Sequence, residues 1–172
     1  MLVKFFKPCL WVALLLISLS GHAAEAQSSA HSLAKPSQNT LQMGDQAYDL
    51  SKYEGKVLIL DFWASWCGPC RQSFPWMNGL LEKYQDEGLA ILAVNLDEDR
   101  SKADQFLSDV PADFDIAFDP SGTSAEQLQV MGMPSTYIFG RDGNLRERVI
   151  GFSKARSEEH EALIAELMEA GR

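Results

Sequence analysis

The sequence predicts an α/β fold with a central mixed β-sheet flanked by helices. Two runs, at 56–63 and 89–95, are almost wholly apolar, which is typical of strands buried on both faces of a sheet. A helical pattern at 71–87 separates them, and strands that alternate with helices indicate a parallel portion of the sheet. A final pair of strands around a turn at 141–144 indicates an antiparallel edge.

The start of the chain differs in character from the rest. Lys4 and Lys7 are followed by an uncharged stretch of 17 residues, Pro8 to Ala24, which ends in small side chains. This pattern is typical of a secretory signal peptide, which we expect at residues 1–23. The alternative is an uncleaved anchor in the inner membrane, although a membrane-spanning helix needs roughly 20 apolar residues.

The folded domain is expected at residues 40–172. Residues 24–39 are small and polar, and they predict a flexible linker before it. The domain begins with a β-hairpin at 40–50, whose turn is Gly44-Asp45. The remaining predicted elements are a strand at 56–63, a helix at 71–87 that contains Pro75 and ends at Gly88, a strand at 89–95, a helix at 101–110 capped by Ser101, a short strand at 114–118, a short helix at 124–130, strands at 135–139 and 145–150, and a helix at 157–170 capped by Ser157.

Net charge, length and cysteine content limit the functions that the protein can have. The net charge of −9 argues against a nucleic-acid binder, which would need a basic surface, and we expect no nucleic-acid partner. The length of 172 residues suits one domain and a short leader. Cleavage of the signal peptide would remove Cys9 and leave Cys67 and Cys70, a single close pair in an exported protein.

The Cys67–Cys70 pair has three possible uses: a zinc site, a structural disulfide or a redox centre. A structural zinc site needs four ligands. The three histidines are poor candidates, because His22 lies in the leader, His31 in the linker and His160 on a helix face expected to be solvated. A structural disulfide would close a loop of two residues and remove little chain entropy. Redox chemistry is therefore favoured, and we expect no metal.

The position of the pair assigns different roles to the two cysteines. Cys67 follows a buried strand and begins a helix, where unpaired amides and the helix dipole favour a thiolate. Arg71, one turn later, adds positive charge. Cys70 lies a turn into the helix and is expected to be less exposed. We therefore expect Cys67 to attack a partner disulfide and Cys70 to resolve the mixed disulfide.

Several motifs resemble the thioredoxin superfamily. Residues 61–70, DFWASWCGPC, resemble the thioredoxin active-site stretch apart from Ser65, and Pro75 matches its helix-kinking proline. Met133-Pro134 resembles the loop that carries the cis-proline of the family. The leader, the N-terminal hairpin and a β-α insertion before Pro134 are similar to the exported TlpA/ResA-like branch, which is related to AhpC/TSA redoxins. The resemblance covers about residues 40–170 and implies a thioredoxin fold.

The resemblance also implies a set of functional residues. Asp61 would be a buried proton acceptor for Cys70, with its pKa raised by desolvation; the alternative is an Asp at a strand end that reaches solvent. No organic cofactor is implied. The predicted catalytic residues are Cys67, Cys70 and Asp61, and the predicted substrate groove is formed by Trp66, Gly68, Pro69, Met133 and Pro134.

The expected function is that of an exported, periplasmic thiol–disulfide oxidoreductase that reduces or isomerises disulfides in other exported proteins. A reductase in an oxidising compartment needs electrons, so a membrane thiol electron donor (DsbD/CcdA-like) is an expected partner. The protein is expected to be a monomer.

The sequence leaves three alternative functions open. A role in cytochrome c maturation is weakened by Ser73, where such relatives often carry Glu, and by the Gly68-Pro69 dipeptide. A peroxiredoxin-like peroxidase would need a Pro-x-x-x-Thr-x-x-Cys motif, which the chain lacks. A non-catalytic metal or protein chaperone would need a suitably placed His or Met beyond the cysteine pair.

Overall fold

The computed structural model describes residues 39–170. The predicted signal peptide at 1–23 and the linker up to residue 38 lie outside the described residues. The β-strands are β1 (Thr40–Met43), β2 (Gln46–Asp49), β3 (Val57–Trp63), β4 (Leu89–Asn95), β5 (Asp115–Phe118), β6 (Ser135–Phe139) and β7 (Leu145–Ile150). The α-helices are α1 (Cys70–Tyr84), α2 (Arg100–Asp109), α3 (Thr123–Gln127) and α4 (Lys154–Glu169).

Five strands form the central sheet in the order β5-β4-β3-β6-β7. Strands β3, β4 and β5 run parallel, whereas β6 is antiparallel to both β3 and β7. The predicted mixed sheet is therefore confirmed. The predicted hairpin is also present, since β1 and β2 pair as a separate two-stranded sheet.

The two faces of β3 pack against different layers. Every residue of β3 is buried, so the strand lies at the centre of the molecule. Ile59 and Trp63 belong to a core shared with α1, α2 and α4. Leu58, Leu60 and Phe62 belong to a second core, which the N-terminal hairpin and the end of α3 cover. Alternate side chains of a strand point to opposite faces, so this division follows directly from the strand geometry.

The start of α2 differs from the prediction. The N-cap is Asp99, whose carboxylate accepts a hydrogen bond of 2.9 Å from the backbone N–H of Ser101. The hydroxyl of Ser101 also donates to this carboxylate, at 2.7 Å. Asp and Ser are both common N-caps. Asp99 is the N-cap because its carboxylate reaches the free backbone N–H of Ser101, two residues later. Ser101 itself already lies inside the helix.

The start of α4 is also earlier than predicted. The helix begins at Lys154, after Ser153 in extended conformation. Ser157 is therefore an interior residue, and its hydroxyl donates back to the carbonyl oxygen of Lys154 at 2.8 Å. Such a bond to the preceding turn satisfies a serine within a helix.

The structure buries His160, which the sequence predicted to be solvated. Its ring lies 6.4 Å from the ring of Trp76, and its Nε2 is 3.8 Å from a carboxylate oxygen of Glu147. His160 precedes Ile164 and Met168 by one and two helical turns, and all three are buried. The spacing of four residues was the signal that placed His160 on the inward face.

No helix within residues 39–170 is long and apolar enough to cross a membrane.

An aromatic cluster packs in the same core as the cysteine pair. The ring of Trp63 lies 5.0 Å from that of Phe74 and 4.7 Å from that of Phe106, and Phe74 also lies 5.2 Å from Phe114. Close ring pairs of this kind contribute beyond their buried area, so the cluster fixes α1 against β3.

We expect Phe74→Ala to lower the free energy of unfolding by about 3–5 kcal/mol, because it leaves a cavity in this cluster. Equilibrium urea denaturation of the oxidised protein measures the change. Met131→Ala is the control, since Met131 is 77% exposed and its loss should cost less than about 0.5 kcal/mol. Equal losses in the two variants would contradict the packing described here.

Candidate functional site

Cys67 and Cys70 form a disulfide at the junction of β3 and α1. Their Cα atoms are 5.3 Å apart. Cys67 keeps 3% of its surface exposed, whereas Cys70 is fully buried. The backbone N–H of Cys70 donates to the sulfur of Cys67 at 3.2 Å. The same N–H also lies 3.2 Å from the carbonyl oxygen of Cys67. Its contact with the sulfur would stabilise a thiolate at Cys67 after reduction.

Arg71 extends away from the disulfide towards α2. Its guanidinium lies 4.9 Å from the centre of the Phe106 ring and 3.6 Å from a carboxylate oxygen of Asp109. The neighbouring carboxylate offsets part of the positive charge. An electrostatic effect of Arg71 on Cys67 therefore stays a prediction.

The loop that leads to Cys67 is held by a buried carboxylate. Asp97 accepts hydrogen bonds of 2.8 Å from both the backbone N–H and the hydroxyl of Ser65. The side-chain amide of Asn95 donates to the same carboxylate at 2.7 Å. Asp97 is only 7% exposed, so these bonds are protected from water. Ser65 is the one residue at which the stretch 61–70 differs from that of thioredoxin, and it attaches this loop to Asp97.

Sequence reasoning missed Asp97. A signal was present, because Asn95 and Asp97 lie at the carboxyl end of β4, and β4 runs parallel to β3. The carboxyl ends of parallel strands meet at one edge of a sheet, where functional loops collect. Polar residues at that point were therefore candidates for contact with the loop after β3.

Asp61 lies in the middle of β3 with no exposed surface. The hydroxyl of Thr136 donates to its Oδ1 at 2.6 Å, whereas its Oδ2 has no hydrogen-bond partner among the described residues. Burial raises the pKa of Asp61 from its ordinary 3.8 to about 7, although the bond from Thr136 acts in the opposite direction. The predicted alternative, an Asp that reaches solvent, is wrong.

Asp61 and Cys70 face the same layer of the protein. Asp61 lies two residues from both Ile59 and Trp63 on β3, and these two side chains pack in the core that contains Cys70. The carboxyl group therefore points to the face that α1 covers. This placement is compatible with proton exchange between Asp61 and Cys70.

A cis peptide bond joins Met133 and Pro134 at the start of β6. Ser135 pairs with Phe62 in the antiparallel ladder, so this loop lies at the edge of the sheet where β3 ends. The backbone N–H of Gly151 donates to the carbonyl oxygen of Pro134 at 2.7 Å. The loop and the disulfide thus occupy the same end of the sheet.

The predicted groove residues differ in their exposure. Trp66 is 71% exposed, and Gly68 and Pro69 are also at the surface. Met133 is half-buried, whereas Pro134 is buried. A cleft of about 480 Å³ adjoins the disulfide loop and is lined by Ser65, Arg71, Ser101, Lys102, Gln105 and Phe106.

Asp97→Ala should free the loop that carries Cys67, because the backbone N–H of Ser65 would lose a buried partner. We expect a loss of about 1–3 kcal/mol in unfolding free energy and faster hydrogen exchange at the amide of Ser65. Ser65→Ala is the matched comparison, since it removes the hydroxyl bond and keeps the backbone one. Unchanged exchange at Ser65 in Asp97→Ala would show that the carboxylate does not hold the loop.

Asp61 should make the stability of the protein depend on pH. Its pKa is raised in the folded state, so between about pH 4 and pH 7 the unfolded chain releases a proton that the folded protein keeps. The free energy of unfolding contributed by this group therefore falls as pH rises through that window, by about 4 kcal/mol.

Asp61→Asn removes this titration. We expect the variant to gain stability relative to the wild type as the pH rises from 4 to 8, with the gain complete above the raised pKa. Urea denaturation of both oxidised proteins across this range measures the difference. A difference that is independent of pH would contradict the raised pKa.

Known proteins are similar to this chain in sequence and in fold. ResA, a thiol-disulfide oxidoreductase of Oceanobacillus iheyensis, is 34% identical over 110 residues, which are 64% of this chain and 57% of ResA. ResA of Geobacillus kaustophilus is 32% identical over 112 residues, 64% of each chain. The chain therefore spans less than two thirds of the length of these curated relatives.

Solved structures agree with this result. A Chlorobium tepidum protein, provisionally described as thiol:disulfide interchange protein DsbE, is 43% identical with a TM-score of 0.69 over 75% of this chain and 92% of that chain. A secreted Mycobacterium tuberculosis disulfide oxidoreductase, 19% identical with a TM-score of 0.61 over 79% and 98% of the two chains, shares the fold. Residues 30–148 match the AhpC/TSA family. The chain thus belongs to the AhpC/TSA family and is a ResA/TlpA-like member of the thioredoxin superfamily.

Proposed function

We propose that the protein is an exported thiol–disulfide oxidoreductase that reduces or isomerises disulfides in periplasmic proteins. The observation that carries this proposal is the Cys67–Cys70 disulfide at a helix N-terminus, where the amide of Cys70 contacts the sulfur of Cys67. Cysteines at such positions have lowered thiol pKa values and react as nucleophiles. Relatives named thiol-disulfide oxidoreductases support the same activity.

Reduction of a substrate begins with the dithiol form of the protein. The thiolate of Cys67 attacks one sulfur of the substrate disulfide, forms a mixed disulfide and expels the first substrate thiolate. The thiolate of Cys70 then attacks the sulfur of Cys67 and expels the second substrate thiolate. Two electrons pass from the cysteine pair to the substrate, and the protein is left with the Cys67–Cys70 disulfide seen in the structure.

Cys70 must lose a proton before it attacks. Asp61 is the proposed acceptor, because it is buried on the same face and its Oδ2 has no hydrogen-bond partner among the described residues. A pKa of about 7 suits a group that accepts and returns a proton near neutral pH. The carboxyl group would pass the proton on when the substrate thiolates leave.

The substrate chain is proposed to bind over the exposed side of the disulfide. Trp66 supplies a large apolar surface that is open to solvent, and Met133 and Pro134 border the same end of the sheet. Gly68 and Pro69 are exposed, and a Cβ at Gly68 would meet no atom within 4 Å, so the surface between the two cysteines is open at Gly68. A polypeptide with an accessible disulfide therefore has room to approach Cys67.

The proposed export and direction of reaction imply a further partner. An oxidising compartment would leave the cysteine pair as a disulfide after one turnover, so continued reduction needs electrons from elsewhere. We propose a membrane thiol electron donor of the DsbD/CcdA-like kind, which would reduce the pair by the same exchange chemistry in reverse.

The reduction potential of the pair tests the direction of electron flow. We expect a value near that of thioredoxin, about −270 mV, by equilibration with glutathione and tryptophan fluorescence. A value near that of DsbA, about −120 mV, would show that the pair donates disulfides and would overturn the proposed direction.

Two cysteine variants test the mechanism in the same insulin-reduction assay. Cys70→Ser should accumulate a mixed disulfide with insulin, visible by mass spectrometry, whereas Cys67→Ser should form none and reduce insulin no faster than dithiothreitol alone. Lys154→Ala, at the exposed start of α4, is the control. A mixed disulfide on Cys70 in the Cys67→Ser protein would reverse the assignment of roles.

A further inference from the structure

The contact between Thr136 and Asp61 joins two buried groups on neighbouring strands. They are register partners in the antiparallel pair β3–β6, and the hydroxyl of Thr136 donates to Oδ1 of Asp61 at 2.6 Å. Asp61 has no exposed surface, and Thr136 keeps 8%. Oδ2 of Asp61 has no hydrogen-bond partner among the described residues. One carboxyl oxygen of Asp61 is thus held by a hydrogen bond, and the other is buried without a hydrogen-bond partner among the described residues.

Within residues 39–170, no side chain other than Thr136 donates a hydrogen bond to the carboxyl group of Asp61. Its register partner on β4 is Ala93, which is fully buried. Cys70 is among the buried residues that α1 contributes to the core on this face of β3. His160 is buried elsewhere on α4, against Trp76 and near Glu147.

The charged residues of the two covering helices lie at the surface. Lys83 on α1 pairs with Glu161 on α4 at 2.7 Å, and Arg71 pairs with Asp109 on α2 at 3.6 Å. The other charged residues of these helices are exposed, namely Glu82, Lys154, Arg156, Glu158, Glu159, Glu166 and Glu169. Among the described residues, the hydroxyl of Thr136 is therefore the side-chain group that donates a hydrogen bond to the Asp61 carboxyl.

We propose that Thr136 is a positioning residue for the exchange reaction, whose hydroxyl holds Oδ1 of Asp61 and leaves Oδ2 directed to the proton of Cys70. This inference rests on the proposed function. Thr136 does not touch the reacting sulfur atoms in this role. It acts by fixing the orientation and the charge state of Asp61.

The charge state follows from the direction of the hydrogen bond. A hydroxyl that donates to a carboxylate stabilises the ionised form and opposes the effect of burial. Loss of the hydroxyl would therefore raise the pKa of Asp61 further. The carboxyl group would then stay protonated through neutral pH, where it cannot accept the proton of Cys70.

Three variants separate the hydroxyl from the rest of the side chain. Thr136→Val removes the hydroxyl and keeps the branched shape, Thr136→Ala removes it with less volume in case the valine variant packs poorly, and Thr136→Ser keeps it. A purely structural role would make the serine variant resemble alanine, since both lack the methyl group. The proposed role makes it resemble the wild type.

The first measurement does not depend on activity. Carboxyl ¹³C NMR of the oxidised protein gives the pKa of Asp61 in each variant. We expect Thr136→Val and Thr136→Ala to raise it by about one pH unit or more, and Thr136→Ser to leave it within a few tenths. An unchanged pKa in both variants that lack the hydroxyl would overturn the proposal.

The second measurement follows the resolving step. A mixed disulfide between Cys67 and a small thiol is formed, and its decay is recorded in single turnover from pH 5 to pH 9. Thr136→Val should shift the acid limb to higher pH and slow the decay about fivefold or more at pH 7. In the Asp61→Asn background the same substitution should change nothing, and an equal slowing there would overturn the proposal.

The two measurements also distinguish this proposal from the proposed function. A raised pKa in Thr136→Val together with a wild-type protein that reduces no disulfide would support control of Asp61 by Thr136 and reject the reductase. An unchanged pKa together with normal disulfide reduction would reject the role of Thr136 alone.

Discussion

The burial of β3 on both faces is the constraint on which the redox site depends. All of its residues from Val57 to Trp63 are buried, and it pairs with β4 on one side and β6 on the other. A strand held in this way cannot shift without disrupting two cores. Its carboxyl end therefore presents Cys67 at a fixed point, and the same strand carries Asp61 beneath the helix that begins at Cys70.

Two buried carboxyl groups in or near this strand, those of Asp97 and Asp61, differ in how many hydrogen bonds they accept. Asp97 accepts bonds from Ser65 and Asn95 through both of its oxygens, so its buried acceptors are satisfied. Within the part of the chain that the structure describes, Asp61 accepts a single side-chain hydrogen bond, from Thr136. A carboxylate with few partners in a dry environment is costly to ionise, so it keeps a proton near neutral pH and can exchange it. The difference in partners explains why one group suits support and the other suits proton exchange.

Local patterns predicted the strands but not the contacts between distant loops. The apolar runs predicted β3 and β4 because few other arrangements bury so many consecutive side chains. Helix starts were less certain, since Asp99 and Ser101 are both good caps and only the geometry decides between them. The bond between Ser65 and Asp97 joins residues that are 32 positions apart, and no local propensity encodes it. Such contacts follow from strand order, which the sequence indicates only coarsely.

The pairing of β6 with β3 connects the substrate side of the site to its interior. Pro134 lies in the loop at the start of β6, and Thr136, two residues later, contacts Asp61. Neighbouring residues of a strand face opposite sides, so a slip of one position would replace Thr136 opposite Asp61 by Ser135 or Tyr137 and reverse the faces of β6. The register that places the cis-proline loop at the end of β3 is therefore the same register that supplies the hydroxyl to Asp61. The proposed substrate contact and the proposed proton acceptor therefore depend on one strand pairing, and a change of register would move both.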